Sequence, residues 1–401
     1  LNLAFLIARR YFLSRKKRSF INFISFMSML GIGVGTMATV AVLSVFNGLE
    51  ELNRSIFKSF DPDIKITATV GKVFTPDTGK LAHLKKLPGV DYVTEVIEDN
   101  ALVIYQNGKM VVTLKGVDDT FQKNSRLKGS LVEGQFLINQ DGIDYAFIGG
   151  NVYGALNISL DNLLEPLEIW YPKNQKKLSL IPENNINKKV LNISGVYALE
   201  LLHDDYVYVP LSVAKELTEY TSQRTALEVQ LKPEANTEKV QKEIDRIFGN
   251  KYVVKNREEQ NANLFRAIKI EKLFIFIALI FIIGVASFNI FFSLTMLVID
   301  KKEEVRTLYA MGADDSLIKM IFFTEGAIIS VIGTVTGLVL GLVFCLTQER
   351  FGWLGMGMDT ALIDAYPVKV NPFDFLITAV AVIIITLLVS YFPARRATGH
   401  I

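Results

Sequence analysis

Apolar residues are not spread evenly along this chain. They collect in four long blocks, Ile21–Phe46, Leu273–Ile299, Ile318–Leu346 and Phe373–Phe392, each almost free of charge. A helix needs about 20 apolar residues to cross the hydrocarbon core of a bilayer, so each block predicts a transmembrane helix. The first is too long for the apolar core of a signal peptide, and no small-residue cleavage site ends it. It is expected to be a retained span. The pattern divides the chain into a tail at 1–19, a first span at 20–47, a polar region at 48–271, a second span at 272–299, a link at 300–317, a third span at 318–346, a loop at 347–371, a fourth span at 372–393 and a tail at 394–401.

Within the polar region the periodicity changes. Asp63–Val70 and Val90–Ile97 alternate as strands, with a short helix, Gly79–Leu87, between them. Ala101–Tyr105 and Lys109–Lys115 flank Asn107-Gly108, a strong hairpin signal. Near the far end, strand Ala226–Lys232, charged helix Thr237–Phe248 and strand Tyr252–Lys255 repeat the strand–helix–strand order. The two halves, about 60–117 and 223–260, predict one split βαβ sandwich. The part between, about 118–222, is then a β-rich insertion holding strands Leu167–Tyr171, Lys189–Tyr197 and Tyr206–Val209 and helix Leu211–Tyr220. The fold class is therefore a four-span α-helical membrane protein with a large external α+β domain.

Lysine and arginine near the span ends set the orientation. Arg9, Arg10, Arg15, Lys16, Lys17 and Arg18 precede the first span, Lys301, Lys302, Arg306 and Lys319 fill the second-to-third link, and Arg395 and Arg396 follow the fourth. The loop between the third and fourth spans has Arg350 and Lys369 beside Glu349, Asp359 and Asp364. Both termini and the 300–317 link are expected in the cytoplasm, and 48–271 on the other side. Residues 2–19 set Leu3, Leu6, Ile7, Phe12 and Leu13 against Arg9, Arg10, Arg15 and Lys16. That reads as a helix lying in the membrane interface, against the plainer reading of a basic tail.

Composition narrows the chemistry. Of 401 residues, 50% are hydrophobic, the mean hydropathy is +0.31 and the net charge is +2. The single cysteine, Cys345, lies in an apolar block, which excludes a disulfide framework and a cysteine-based zinc site. His83, His203 and His400 are far apart and form no HExxH pattern, so no metal site is expected. There is no Walker A loop, since Gly79-Lys80 is followed by Leu81, and no GxSxG elbow. No catalytic residue or cofactor is expected in this chain. Any ATP and Mg are held by another one, and nothing marks a nucleic-acid partner. Glu325 is the exceptional charge inside a span. With no chain of buried acids, an ion-coupled pump is disfavoured. Gly333, Gly337 and Gly341 recur every four residues, a smooth stripe against which another helix can pack. Gly31, Gly33 and Gly35 follow no strand and likewise read as packing or local flexibility.

Lys173–Lys189 is a basic loop with Leu178, Leu180, Ile181 and Pro182 within it. Such a loop is either a docking element or a plain surface hairpin.

The most specific stretch follows the second span: Asp300-Lys301-Lys302-Glu303-Glu304-Val305-Arg306-Thr307-Leu308-Tyr309-Ala310-Met311-Gly312-Ala313. It resembles the D-K-x-x-E-[VI]-x-x-L-x-x-[ML]-G-A coupling segment of FtsX/MacB-type ABC permeases. Leu43-Ser44-Val45-Phe46-Asn47-Gly48-Leu49-Glu50 is similar to the L-S-V-x-N-G-F-E of the lipoprotein-releasing LolC/LolE permeases, with Leu49 in place of Phe. Phe392-Pro393-Ala394-Arg395-Arg396-Ala397 is similar to their Y-P-A-R-R-A.

The resemblance implies a permease subunit of the bacterial inner membrane that pairs with a second copy or a paralogue and binds a LolD-like ATPase dimer. Glu303, Glu304 and Arg306 would bond the ATPase, Leu308, Tyr309 and Met311 would fill its cleft, and Gly312 would end the helix. The substrate would be a lipidated lipoprotein, handed to a LolA-like periplasmic carrier. Val42, Val45, Phe46 and Asn47 of the first span and Phe276, Ile280 and Ile283 of the second would line its cavity. Leu178, Leu180, Ile181 and Pro182 fall about where LolC docks its carrier. A MacB-like efflux permease, an FtsX-like regulator of periplasmic hydrolases, and a channel or carrier without an ATPase are the alternatives.

Overall fold

The structure, a computed structural model, describes residues 3–13, 20–124, 126–160, 165–174, 182–198, 204–355 and 365–398. It divides into two compact units: residues 1–52 with 264–401, and residues 53–263.

The first unit holds the spans. Among the described residues, four helices are long and apolar enough to cross a membrane: Phe20–Phe60, Ala262–Asp300, Asp315–Phe351 and Pro372–Arg396, the first two extending into the second unit's residues. The glycine stripe of the third helix lies on the first helix. A Cβ added at Gly333 would sit 2.9 Å from the Met29 carbonyl oxygen, at Gly337 2.4 Å from that of Gly33, and at Gly341 2.3 Å from a Val40 methyl. With no Cβ at these positions the two backbones approach closely. Gly33 receives the same contact in return, 3.4 Å from the Gly333 carbonyl, and Gly35 lies against Ile283 of the second helix. A Cβ added at Gly31 would meet no neighbouring element within 4 Å among the described residues. Small hydroxyls join the other helices: Ser25 and Ser293 Oγ atoms are 2.7 Å apart, Ser330 bonds Thr386, and Gly326 admits Ser390.

The N-terminal helix, Leu3–Leu13, packs on the third span through buried Ala4 and Ala8, with Ile7 and Tyr11 beside them. Its small-residue face is therefore the inner one. Leu3, Phe5 and Leu6 are exposed, as are Arg9 and Arg10. Of the apolar set read from sequence, Ile7 turns to the protein while Leu3 and Leu6 turn outward, and the side chains of Phe12 and Leu13 lie outside the described residues.

The second unit is built on strands β1 Ile64–Ala68, β2 Val90–Tyr105, β3 Gly108–Val117, β4 Leu131–Gly134, β5 Asn139–Gln140, β6 Ile143–Gly149, β7 Leu167–Pro172, β8 Ile186–Tyr197, β9 Tyr206–Pro210, β10 Ala226–Leu231 and β11 Tyr252–Asn256. At one end the order is β11-β1-β10-β2, all neighbours antiparallel, so the two strand–helix–strand halves interleave. Helices Thr78–Lys85 and Thr237–Phe248 join β1 to β2 and β10 to β11. Leu84, Val240, Ile244 and Phe248 from these helices share a core with Ile64, Ile66, Leu227 and Val229.

At the other end β2 pairs β3, β3 pairs β9, β9 pairs β6, β6 pairs β8, β8 pairs β7, and β7 pairs back to β2. The ring of pairings closes a barrel, which leaves these strands no free edge. Its core includes Val103, Leu114, Ile148, Ile169, Leu191 and Val207.

Several elements differ from the sequence reading. Val90–Ile97 and Ala101–Tyr105 are one strand, because the polar Glu98-Asp99 step between them finds partners. Glu98 meets Lys65 at 3.0 Å, and Asp99 accepts from Tyr171 Oη at 2.6 Å. The hairpin turns at Gln106-Asn107, with Gln106 at φ +52 and Gly108 already paired to Tyr105. Gly108 is there for space, since a Cβ would meet Leu156 at 3.0 Å. Strand β6, which the sequence reading lacks, sits between β9 and β8.

Across β2, the strand the two ends share, Lys115 of β3 and Glu228 of β10 form an ion pair at 2.7 Å, their side chains 3% and 4% exposed. Phe60 and Tyr208 rings lie 5.3 and 5.7 Å from the ammonium. Burial pushes the Lys115 pKa down, but Glu228 and Glu98 outweigh it and hold it above the usual lysine value. A raised lysine pKa contributes stability that is complete below about pH 10.4 and lost only as pH rises through the folded value.

Gly337→Val should destabilise the span bundle by about 1–3 kcal/mol, read as a lower melting temperature of the full chain in detergent. Gly31→Ala, at the open position, should leave the melt unchanged or slightly raised.

Candidate functional site

The link after the second span folds as a helix, Lys302–Ala310, and its end is closed by sequence-specific hydrogen bonds. Gly312 adopts φ +92, a left-handed conformation favoured by glycine. Its N–H donates to the Tyr309 carbonyl at 2.9 Å, and the Ala313 N–H donates to the Leu308 carbonyl at 3.0 Å. This pair of bonds is a Schellman cap. Asp314 then caps the third span by accepting from the Leu317 N–H at 3.0 Å. Gly312-Ala313-Asp314 thus stops one helix and starts the next.

The two faces of this helix do different things. Val305 is buried, and Leu308 and Tyr309 pack against the core of the span bundle. Tyr309 Oη donates to Asp315 at 2.8 Å, and partial burial together with that carboxylate pushes its phenol up to about 12. Leu308 and Tyr309, both half-buried, therefore help to seat the helix on its own unit. Glu303, Glu304, Arg306 and Met311 face outward, Met311 at 71% exposure. Arg306 meets Glu303 at 2.9 Å and Lys301 meets Glu304 at 2.6 Å. The Lys301 ammonium also lies 5.3 Å from the Tyr11 ring of the N-terminal helix. Burial, then the neighbouring Glu304 carboxylate, holds the Tyr11 phenol far above its ordinary value.

At the other end of the bundle, Asn47 and Gly48 bring three chain segments together. Asn47 Nδ2 donates to Asp374 at 2.8 Å, and Lys272 Nζ donates to Asn47 Oδ1 at 2.7 Å and to Asp374 at 2.9 Å. A Cβ at Gly48 would lie 2.1 Å from the Pro367 carbonyl oxygen, so only glycine lets that backbone in. Two residues on, the Lys369 N–H donates to the Ser44 carbonyl at 2.9 Å. This clasp ties the first, second and fourth spans. Lys272 and Asp374 were missed in the sequence because each reads as an ordinary flanking charge. The available signal was that they stand at the ends of two apolar blocks, opposite in sign.

The expected cavity residues divide as well. Val42, Val45, Phe46 and Phe276 are half-buried, Asn47 is in the clasp, and Ile280 packs on the bundle core. Ile283 is 0% exposed and wedged against Gly35, so within this chain it lines no open surface. The outward stripe of the second span is instead Phe274, Ile277, Phe281, Val285, Phe288 and Phe292. Glu325 is buried in the third span, and its Oε2 has no hydrogen-bond partner among the described residues. Leu178, Leu180 and Ile181 lie outside the described residues. Of Pro182 the backbone alone is described, opening a short 3-10 turn to Asn185.

Known proteins share both parts of the chain. The MacB-like periplasmic core domain matches residues 25–247 and the FtsX-like permease C-terminal region matches 276–400. This chain belongs to the ABC permease family that joins these two parts, the LolC/LolE group. Curated members of that family match it along nearly their whole length. The lipoprotein-releasing system transmembrane protein LolC of Buchnera aphidicola is 24% identical over 96% of this chain and 94% of its own. LolE of Haemophilus influenzae is 24% identical over 99% and 97%. LolC of Neisseria meningitidis is 24% identical over 98% and 96%. Among solved structures, the periplasmic region of MacB from Actinobacillus actinomycetemcomitans aligns with TM-score 0.36 at 12% identity, covering 52% of this chain and 95% of that one. As a permease of this family the chain is a multi-pass inner-membrane protein with a periplasmic α+β domain.

A double-mutant cycle checks the clasp. Asp374→Asn and Lys272→Met should each lower the melting temperature, and the double variant should lose less than the sum, with a coupling of about 1 kcal/mol or more. Additive losses would show that the contact contributes nothing.

Proposed function

We propose that this chain is the membrane subunit of an ATP-driven transporter that extracts lipoproteins from the outer leaflet of the inner membrane and passes them to a periplasmic carrier. The observation that carries the reading is the capped helix Lys302–Ala310. It is seated on the bundle by Val305, Leu308 and Tyr309, and it presents Glu303, Glu304, Arg306 and Met311 outward. A rigid helix with an acidic first turn, one outward arginine and an exposed methionine at its end suits a cleft on a partner. Methionine is adaptable apolar filler, and arginine binds carboxylates in a fixed fork.

The partner on this reading is a LolD-like ATPase dimer, which binds ATP and Mg. The permease itself pairs with a second copy or a paralogue. Both termini and the link lie in the cytoplasm, and residues 53–263 in the periplasm. Closure of the ATPase dimer moves the link. The Schellman cap passes that motion to the third span without a flexible joint, and the glycine stripe passes it to the first. The substrate's acyl chains occupy the space between the two permease copies. Val42, Val45, Phe46 and Phe276 and the outward stripe of the second span supply apolar walls there, and the Asn47 clasp forms the rim. A LolA-like carrier docks on the loop at 173–189, through Leu178, Leu180, Ile181 and Pro182.

Depleting the chain from cells and preparing spheroplasts should abolish release of lipoproteins to added carrier. Met311→Cys should crosslink to the ATPase. Normal release after depletion would remove the transport reading, and absence of any Met311→Cys crosslink would remove the coupling role.

A further inference from the structure

A partly open pocket of about 330 Å³ lies between the third and fourth spans, at the end of the bundle that carries the 300–313 link. Ser316, Lys319 and Arg395 supply its polar groups, and Met320, Phe323 and Tyr391 its apolar ones. Met320 and Tyr391 are exposed at its mouth.

Its charge is uncompensated. Among the described residues neither Lys319 nor Arg395 has a carboxylate partner, although other cations of this unit do: Lys272 pairs with Asp374, Lys301 with Glu304, Arg306 with Glu303 and Lys369 with Glu51. The acids nearest the pocket in sequence are engaged elsewhere. Asp314 accepts from the Leu317 N–H at 3.0 Å and Asp315 from Tyr309 Oη at 2.8 Å. Two cations from two different helices therefore border one apolar pocket, and among the described residues neither has a carboxylate within ion-pair distance. They do so where two membrane helices leave the hydrocarbon, the level at which phospholipid phosphates lie. A tyrosine beside them is suited to that interface, with an apolar ring and a polar tip.

We propose that this pocket binds the phosphate headgroup of an anionic phospholipid. Lys319 and Arg395 hold the phosphate, Ser316 donates to it, and an acyl chain runs along Met320 and Phe323. Basic pockets between helices on this side of a membrane suit such headgroups. The apolar walls distinguish a lipid from a free phosphate ion, which would leave them wet. The assignment needs the four helices to span the membrane with the 300–313 link on the cytoplasmic side, as the proposed function has it. It does not depend on what the transporter carries.

The test is lipid retention by the purified full chain, read by native mass spectrometry in the presence of phosphatidylglycerol, phosphatidylcholine or inorganic phosphate. The wild type should retain phosphatidylglycerol in preference to phosphatidylcholine, and inorganic phosphate at equal concentration should not displace it. The double variant Lys319→Gln/Arg395→Gln should weaken retention roughly tenfold or more. Lys319→Arg/Arg395→Lys, which keeps both charges, should restore it. Should the double neutral variant fail to fold, Arg395→Gln alone, on an exposed side chain, carries the test with a smaller loss in the same direction. Equal retention by wild type and the neutral variant, equal retention of the two lipids, or displacement by inorganic phosphate would each overturn the proposal.

Discussion

The membrane unit depends on the close approach of the first and third spans. Apolar side chains gain nothing by leaving lipid for one another, so helices in a bilayer are held by packing and short polar contacts. Gly333, Gly337 and Gly341 supply the packing by removing side chains where Met29, Gly33 and Val40 need the room. The Ser25–Ser293 and Ser330–Thr386 contacts supply polar links to the second and fourth helices. With the first and third spans locked, the N-terminal helix has a surface to lie on, and the link helix has a core to receive Val305 and Leu308. The clasp at Asn47 then closes the opposite end. The N-terminal helix and the link helix both rest on the body that the glycine contact holds together.

What was legible in the sequence follows from how local each signal is. The four spans could be read because a bilayer demands length and apolarity from each segment by itself. Helix Thr237–Phe248 was readable for a similar reason, as a charged segment between two strands, and the structure caps it at Asn236. The end of the link helix could be read from Gly312, because a left-handed cap has a strong residue preference. What could not be read depends on partners distant in sequence. Leu308 and Tyr309 look like binding residues until the bundle core is there to receive them. Glu98-Asp99 looks like a break in a strand until Lys65 and Tyr171 are in place. The closed barrel needs β7 to return to β2, a pairing with no local signature. The resemblance places Ile283 in an open wall, and its helix is apolar on every side, so no stripe in the sequence marks which face is covered.

The same structural economy bears on how force would travel. The link helix is closed at its C-terminal end. Its C-terminus is capped by two backbone bonds and runs through Asp314 straight into the third span. The Lys301–Tyr11 contact adds the N-terminal helix to the same body. On the proposed coupling role, a push on the outward face at Glu303, Glu304, Arg306 and Met311 would be delivered to the bundle rather than absorbed in a loop. The clasp at the far end keeps the first, second and fourth spans together as that happens.

The most direct test is the separation of the first and third spans through the nucleotide cycle. Spin labels at Val34 and Val335, both on exposed faces, can be placed in one permease copy of the reconstituted complex. The distance between them should be the same with and without a non-hydrolysable ATP analogue, while labels in different permease copies change their separation. A change in the Val34–Val335 distance on adding the nucleotide would mean that the glycine contact slides, and the account of a rigid lever would be contradicted.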